Sequence, residues 1–158
     1  TLTYSYGLDG HIADLFEKKS PEGRTYRFGY DTKGNLTSVT DPKGVASAAE
    51  GDYTSRTEYD ALGQVVKETD ANGHATRYSE FAPAGYPKTI TDAAGHPSHF
   101  VYDVRGNVTK VTNAQGAEVT QTYDVFGRPL EKREPKDRKA GEFIVTPEPV
   151  YDANDNIT

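Results

Sequence analysis

The chain has 158 residues, of which 34% are hydrophobic, with a formal net charge of −6 and no Cys, Met or Trp; its mean hydropathy is −0.77. That balance excludes a thick apolar core, disulfide stapling and zinc–thiolate sites. It also argues against nucleic acid or an anionic membrane as partner, because phosphate contacts need clustered Lys and Arg. No apolar run reaches transmembrane length and neither a leader pattern nor an initiator Met is present, so no membrane insertion is expected and the segment reads as cut from a longer chain.

Taken in chain order, one element recurs: a tetrad that opens on Asp or Asn and closes on Gly. Degenerate copies at Gly7 to Gly10 and Ser20 to Gly23 come first. They are followed by Asp31 to Gly34, Asp41 to Gly44, Asp60 to Gly63, Asp70 to Gly73, Ala82 to Gly85, Asp92 to Gly95, Asp103 to Gly106, Asn113 to Gly116 and Asp124 to Gly127. Two more degenerate copies, Glu134 to Asp137 and Asp152 to Asp155, end the series. From Ala82 onward the starts fall alternately 10 and 11 residues apart, so two turns and two strands make one unit of 21. The chain holds about six to seven such units, incomplete at both ends. A turn favours Asp or Asn at its first position, Pro at its second and Gly at its fourth. The Asp side chain is expected to accept from backbone amides two or three residues on, while Gly takes the left-handed conformation that closes a bulged hairpin.

Between turns, the arm leading into each Tyr-Asp alternates with period two. Tyr26, Phe28 and Tyr30 share one parity, as do Phe100 and Tyr102, Tyr53 and Tyr59, and Val119 and Tyr123, so one face reads aromatic and the other polar. Each Tyr is expected opposite the residue six positions later: Tyr30 with Leu36, Tyr59 with Val65, Tyr102 with Val108 and Tyr151 with Ile157. The departing arm carries apolar residues on both parities, Leu36 with Val39 and Val108 with Val111, and so predicts no single wet face. Two insertions interrupt the period, about eight residues near 45–52 and about seven near 138–146, both after the second turn of a unit and so on one edge of the sheet. One extra residue between Gly73 and Phe81 predicts a β-bulge. The fold expected is all-β: tandem antiparallel hairpins forming a long sheet of about a dozen strands that curls, with terminal strands in need of cover.

The unit Tyr-Asp-x-x-Gly, a polar residue, an aliphatic residue, and then Thr and a second Asp/Asn-x-x-Gly, resembles the YD repeat of the RHS family. The best copies are 30 to 44, 59 to 73 and 102 to 116, and the resemblance covers nearly the whole chain. It departs at Phe81-Ala82, at Glu134-Pro-Lys-Asp137 and at Asp155. Similar proteins include bacterial polymorphic toxins, shells of insecticidal toxin complexes, wall-associated proteins and teneurins. The resemblance implies a hollow β-shell made of these and the remaining repeats. It implies as partner a C-terminal cargo domain of the same parent chain, and a secreted or cell-surface location. A recognition module for glycan or a surface protein is the alternative.

No candidate for chemistry outweighs the turn. An Asp recurring with the turn period is explained by the turn. Asp152, Asn154 and Asn156 match the start of a calcium loop, but Ile157 stands where Gly is required. His96 and His99, three apart on an expected strand, point to opposite faces, and His11 and His74 lie elsewhere in the sequence. Asp41-Pro-Lys-Gly44 superficially matches the aspartyl self-cleavage core that some RHS shells carry, yet it lies inside a repeat. The Asn-x-Thr patterns at Asn35, Asn107 and Asn156 are products of the repeat itself, and the basic run Lys132 to Lys139 reads as a solvated loop. The expectation is a structural, non-catalytic segment with no cofactor and no metal.

Overall fold

The computed structural model describes residues 1–8, 11–47, 49, 53–136, 143–146 and 149–152; of the side chains of residues 8 and 11–13 nothing is described. Among the described residues thirteen strands lie in chain order in one unclosed antiparallel sheet, so the all-β expectation of tandem hairpins holds. The chain divides into two units, Thr1–Arg77 and Tyr78–Thr158. In the first are β1 (Thr3–Leu8), β2 (His11–Lys19), β3 (Thr25–Tyr30), β4 (Leu36–Thr40), the short helix α1 (Pro42–Ala46), β5 (Thr54–Tyr59), β6 (Val65–Thr69) and the start of β7 (Ala75–Phe81). The second holds the end of β7, then β8 (Pro87–Thr91), β9 (Pro97–Tyr102), β10 (Val108–Thr112), β11 (Glu118–Tyr123), β12 (Pro129–Pro135) and β13 (Phe143–Thr146). Pro87, Pro97 and Pro129 each open a strand, where a missing N–H costs least.

The expected cross-strand pairs Tyr30↔Leu36, Tyr59↔Val65 and Tyr102↔Val108 are formed; Ile157 lies outside the described residues. The register then corrects one reading. In β4 the ladder steps from Leu36, opposite Tyr30, to Ser38, opposite Gly29, so Thr37 is an extra residue. In β10 it steps from Val108 to Lys110, passing over Thr109. Because a bulge flips the parity that follows it, Leu36 and Val39 face the same way, opposite Tyr30 and Phe28, and Val108 and Val111 lie opposite Tyr102 and Phe100. The departing arm therefore does have a single apolar face, and the two parities in the sequence are the bulge itself.

No described apolar residue is buried; among the described residues the two buried ones are Thr54 and Thr89. The hydroxyls of Thr54 and Thr40, paired across β4 and β5, lie 2.9 Å apart. Apolar side chains are thinned to half-buried rows along the sheet, and several turn residues, among them Leu62, Val104 and Phe126, project outward. The polar rows carry cross-strand ion pairs such as Lys67 with Glu58 (2.6 Å) and Arg27 with Glu17 (3.5 Å), each expected to contribute about 0–1 kcal/mol at an exposed site.

Three expected turns or strand positions differ. Asp41–Gly44 is no hairpin turn: Pro42 starts α1, Asp41 is its N-cap, and the Asp41 side chain accepts from the amides of Lys43 (2.7 Å) and Gly44 (3.1 Å). Gly44 lies within that helix and is not among the left-handed glycines. The carbonyl of Tyr53 accepts from Asp41 N at 3.1 Å, and Tyr53 precedes β5 with φ +50 instead of joining the aromatic parity of Tyr59. Glu134–Asp137 does not turn at 134, because Glu134 pairs with Ile144 and Pro135 with Phe143, continuing β12. This tetrad has no Gly to take the left-handed corner. The seven residues that link the two strands fall at 136–142, and β13 occupies part of the stretch read as insertion. The tetrad Asp152 to Asp155 and much of 45–52 and 138–146 lie outside the described residues.

Candidate functional site

The turn positions build a repeated lattice of hydrogen bonds. At Asp31 the backbone N–H donates to the Asn35 carbonyl (2.9 Å) and the Gly34 N–H to the Asp31 carbonyl (3.0 Å). Asp60 with Gly63, Asp70 with Gly73, Ala82 with Gly85, Asp92 with Gly95, Asp103 with Gly106, Asn113 with Gly116 and Asp124 with Gly127 repeat this pair of bonds, and each of those glycines has φ between 79° and 90°. One oxygen of the Asp side chain accepts from amides two and four residues on, not two and three. Asp31 Oδ1 meets Lys33 N (2.8 Å) and Asn35 N (2.9 Å), and Asp103 Oδ1 meets Arg105 N and Asn107 N (both 2.9 Å). Asp60, Asp70, Asp92, Asn113 and Asp124 do the same.

The second carboxylate oxygen takes the side chain that follows the glycine. Asn35 and Asn107 donate Nδ2 to Asp31 and Asp103 (both 2.9 Å), and Arg128 donates Nε to Asp124 at 2.7 Å. His74 and His96 place Nδ1 at 3.0 and 3.3 Å from Asp70 and Asp92. His96 is thus a turn residue and not a strand residue, while His99 lies on β9 beside Thr89. Asn35 and Asn107 spend their side-chain amides on the turn, which accounts for the Asn-x-Thr pattern without any sugar.

These contacts lower the carboxyl pKa values, since hydrogen bonds and cations favour the charged form. The Asn35 side chain acts most on Asp31, the His74 amide on Asp70, the His96 amide on Asp92 and the Asn107 side chain on Asp103. At Asp124 partial desolvation pushes upward, and the amide and guanidinium of Arg128 outweigh it. A carboxylate held charged and saturated with donors is a poor general base. Among the described residues no three metal-ligating side chains gather.

A second set of bonds lies outside what the strand pattern predicts. Adjoining hairpins share short ladders: β8 and β9 pair over three positions near the Asp92 turn, and β10 and β11 over three near the Asn113 turn. Beyond the ladder the repeat tyrosine closes the gap with its hydroxyl. Tyr102 donates to the Pro87 carbonyl (2.7 Å), Tyr123 to that of Val108 (2.9 Å) and Tyr30 to that of Leu15 (3.0 Å), each 15 residues back. Tyr59 reaches Leu36 (2.8 Å) and Tyr151 reaches Pro129 (2.7 Å) across 23 and 22 residues. The insertions lengthen the stretch of chain between tyrosine and carbonyl and leave the lock in place. The signal was available: Tyr and not Phe stands at 30, 59, 102, 123 and 151, whereas Phe81 has no hydroxyl to donate. Cations at the third turn position add ties to the next tip, Lys33 Nζ to the Ala61 carbonyl (2.8 Å) and Arg105 to that of Val125.

The extra residue before Phe81 coincides with Glu80, left-handed at φ +55. Its carboxylate accepts from Thr89 Oγ1 at 2.6 Å, and Thr89 Oγ1 lies 3.0 Å from His99 Nδ1. The hydroxyl has one hydrogen, spent on Glu80, so His99 Nδ1 is the donor to Thr89.

A family model described as RHS Repeat matches residues 15–46, 59–97, 83–118 and 102–139. The chain belongs to the RHS repeat family. That family is a structural fold of repeats, generally non-catalytic. Among solved structures, this RHS chain is similar to one titled "Crystal Structure of TcdB2-TccC3-Cdc42", with a TM-score of 0.71 and 14% identity over 99% of this chain and 9% of that one. It is also similar to "Crystal Structure of TcdB2-TccC3-TEV", with a TM-score of 0.58 and 16% identity over 99% of this chain and 10% of that one. At those identities the likeness is one of fold, and the RHS chain spans about a tenth of each neighbour's length. Among the described residues no helix is long and apolar enough to cross a membrane.

Proposed function

We propose that this RHS chain is a wall segment of a hollow shell that encloses a cargo region carried by the same parent protein, which is bacterial and secreted or displayed at the cell surface. The observation that carries the reading is the tyrosine lock. The same hydroxyl-to-carbonyl bond joins hairpin to hairpin at 15-residue spacing and again across two insertions. Such a lattice fixes how one hairpin sits on the next while leaving loops free to vary, which is what a wall requires. A sheet in which no described apolar residue is buried gains most when both faces belong to a larger enclosure. The segment acts as structure and not as a catalyst, because its recurring carboxylates are occupied by turn amides.

Protease protection tests the enclosure. In the intact parent protein the region downstream of the repeats is expected to survive a protease dose that digests the same region expressed free. Digestion at equal rates would exclude encapsulation while leaving the repeat fold untouched.

A further inference from the structure

The turn Ala82–Gly85 keeps the backbone of the other turns and drops their cap. Gly85 N donates to the Ala82 carbonyl and Ala82 N to the Tyr86 carbonyl, both at 2.8 Å, and Gly85 has φ 87°. Ala82 offers no carboxylate, and the residue after the glycine is Tyr86. Released from capping, the Tyr86 ring lies over Gly106, where a Cβ would stand 2.6 Å from its Cε2. It stacks on Tyr102 with centroids 5.3 Å apart and planes at 27°, and Phe100 continues the stack at 6.5 Å and 22°.

Two changes thus act together, the lost acid and the gained ring, above a repeat glycine that leaves room for the ring. Between the turns 82–85 and 103–106 they leave a groove of about 610 Å³ walled by the rings, Pro83, Val101 and Val104, with Lys88 the one cation lining it among the described residues. The Asp103 carboxylate at its rim is consumed by two amides and the Asn107 side chain. Few free acceptors remain, so the groove suits a sugar poorly. It suits a flat apolar group that extends the ring stack with an anion close enough to meet Lys88.

We propose that this groove is a docking site for a peptide that presents an aromatic side chain beside a carboxylate. The volume accommodates one such ring and its flanking backbone, and the complementary charge is Lys88. The assignment is independent of whether the shell encloses a cargo.

Calorimetric titration of the intact protein with acetyl-Phe-Asp-amide tests it, beside acetyl-Phe-Asn-amide, acetyl-Ala-Asp-amide and maltotriose. Saturable binding of the first is expected, with both other peptides weaker on the order of tenfold and maltotriose silent. Lys88→Met should bring Phe-Asp down to the level of Phe-Asn. The double variant Ala82→Asp/Tyr86→Asn rebuilds an ordinary capped turn, so it should melt no lower than the parent yet lose binding. No saturable binding of Phe-Asp, equal affinity for Phe-Asn, binding that survives a folded double variant, or a response to maltotriose would each overturn the proposal. Should the double variant fail to fold, the exposed Lys88→Met exchange decides.

Discussion

The turns at Asp103 and Ala82 have nearly the same backbone and almost nothing else in common. In one, the closing bonds are 2.9 and 3.1 Å with Gly106 at φ 90°; in the other both are 2.8 Å with Gly85 at φ 87°. Around that frame Asp103 gathers two amides and the Asn107 side chain, Arg105 ties to the next tip, and Asn107 sits against Gly127. Ala82 gathers nothing, Ala84 stands where Arg105 would be, and Tyr86 covers Gly106 by stacking. Glycine and register therefore make the corner. The carboxylate stabilises a corner already made, and a hairpin that lacks it spends the freed position on something else.

The sharpest way to break that comparison is at Gly106. A branched side chain there meets a left-handed backbone, a cost of about 1–2 kcal/mol, and also drives a Cβ into the Tyr86 ring. Gly116 is equally left-handed at φ 79° with nothing within 4 Å. Gly106→Val is expected to lower the denaturation midpoint more than Gly116→Val, and Tyr86→Asn should erase the excess in a double-mutant cycle. Equal losses at 106 and 116 would show that Tyr86 does not rest on Gly106.

Next in size are the caps. Asp103→Ala should lower the melting temperature by several degrees, and Ala82→Asp should raise it by less, because Tyr86 supplies only its amide and no side-chain donor. Acid separates the two hairpins without mutation. The folded pKa of Asp103 is depressed by the Asn107 side chain, so its contribution is present above the unfolded value of about 3.9. That contribution is lost as pH falls through the lower, folded value. Amide exchange at Asn107 should accelerate in that window relative to Tyr86, whose turn has no group to titrate. Matching acid profiles at the two amides would contradict the carboxylate's role.

The repeat made the all-β fold legible, and the positions of Tyr30, Tyr59 and Tyr102 opposite Leu36, Val65 and Val108 could be placed from spacing alone. What spacing could not give was geometry that depends on an unpaired residue. Thr37 and Thr109 look like ordinary strand residues, and only the register shows that they bulge and bring Val39 and Val111 back to the face of Leu36 and Val108. Asp41-Pro-Lys-Gly reads as a turn because a turn and a helix N-terminus ask for the same residues: an acid acceptor, then Pro with its fixed φ. The residues that follow decide between them, and Val45 donates to the Asp41 carbonyl at 3.0 Å as the helix begins. The tyrosine hydroxyl bonds are not legible in the strand pattern, because period-two reasoning assigns a ring to a face and gives no account of its distal atom.

That distal atom supports the smallest prediction. Tyr123→Phe keeps the ring and removes the bond to the Val108 carbonyl, at an expected cost of about 1 kcal/mol, read from a chevron or an equilibrium denaturation curve. Tyr102 locks the gap in which Tyr86 stacks, and burial, with Tyr86 adding to it, raises its phenol pKa. A raised folded value means that its contribution is complete below the unfolded value of about 10 and is lost as pH rises through the folded one. Tyr30 is raised in the same direction by burial, then by Asp14 and Tyr6. A phenolate absorbance titration should therefore show these two groups ionising above the ordinary phenol value of about 10, together with loss of the sheet signal. Replacing Tyr86 by Asn should draw Tyr102 back toward its ordinary value and leave Tyr30 unmoved. If both shift together, the elevation arises from the sheet as a whole and not from the ring stacked against Tyr102.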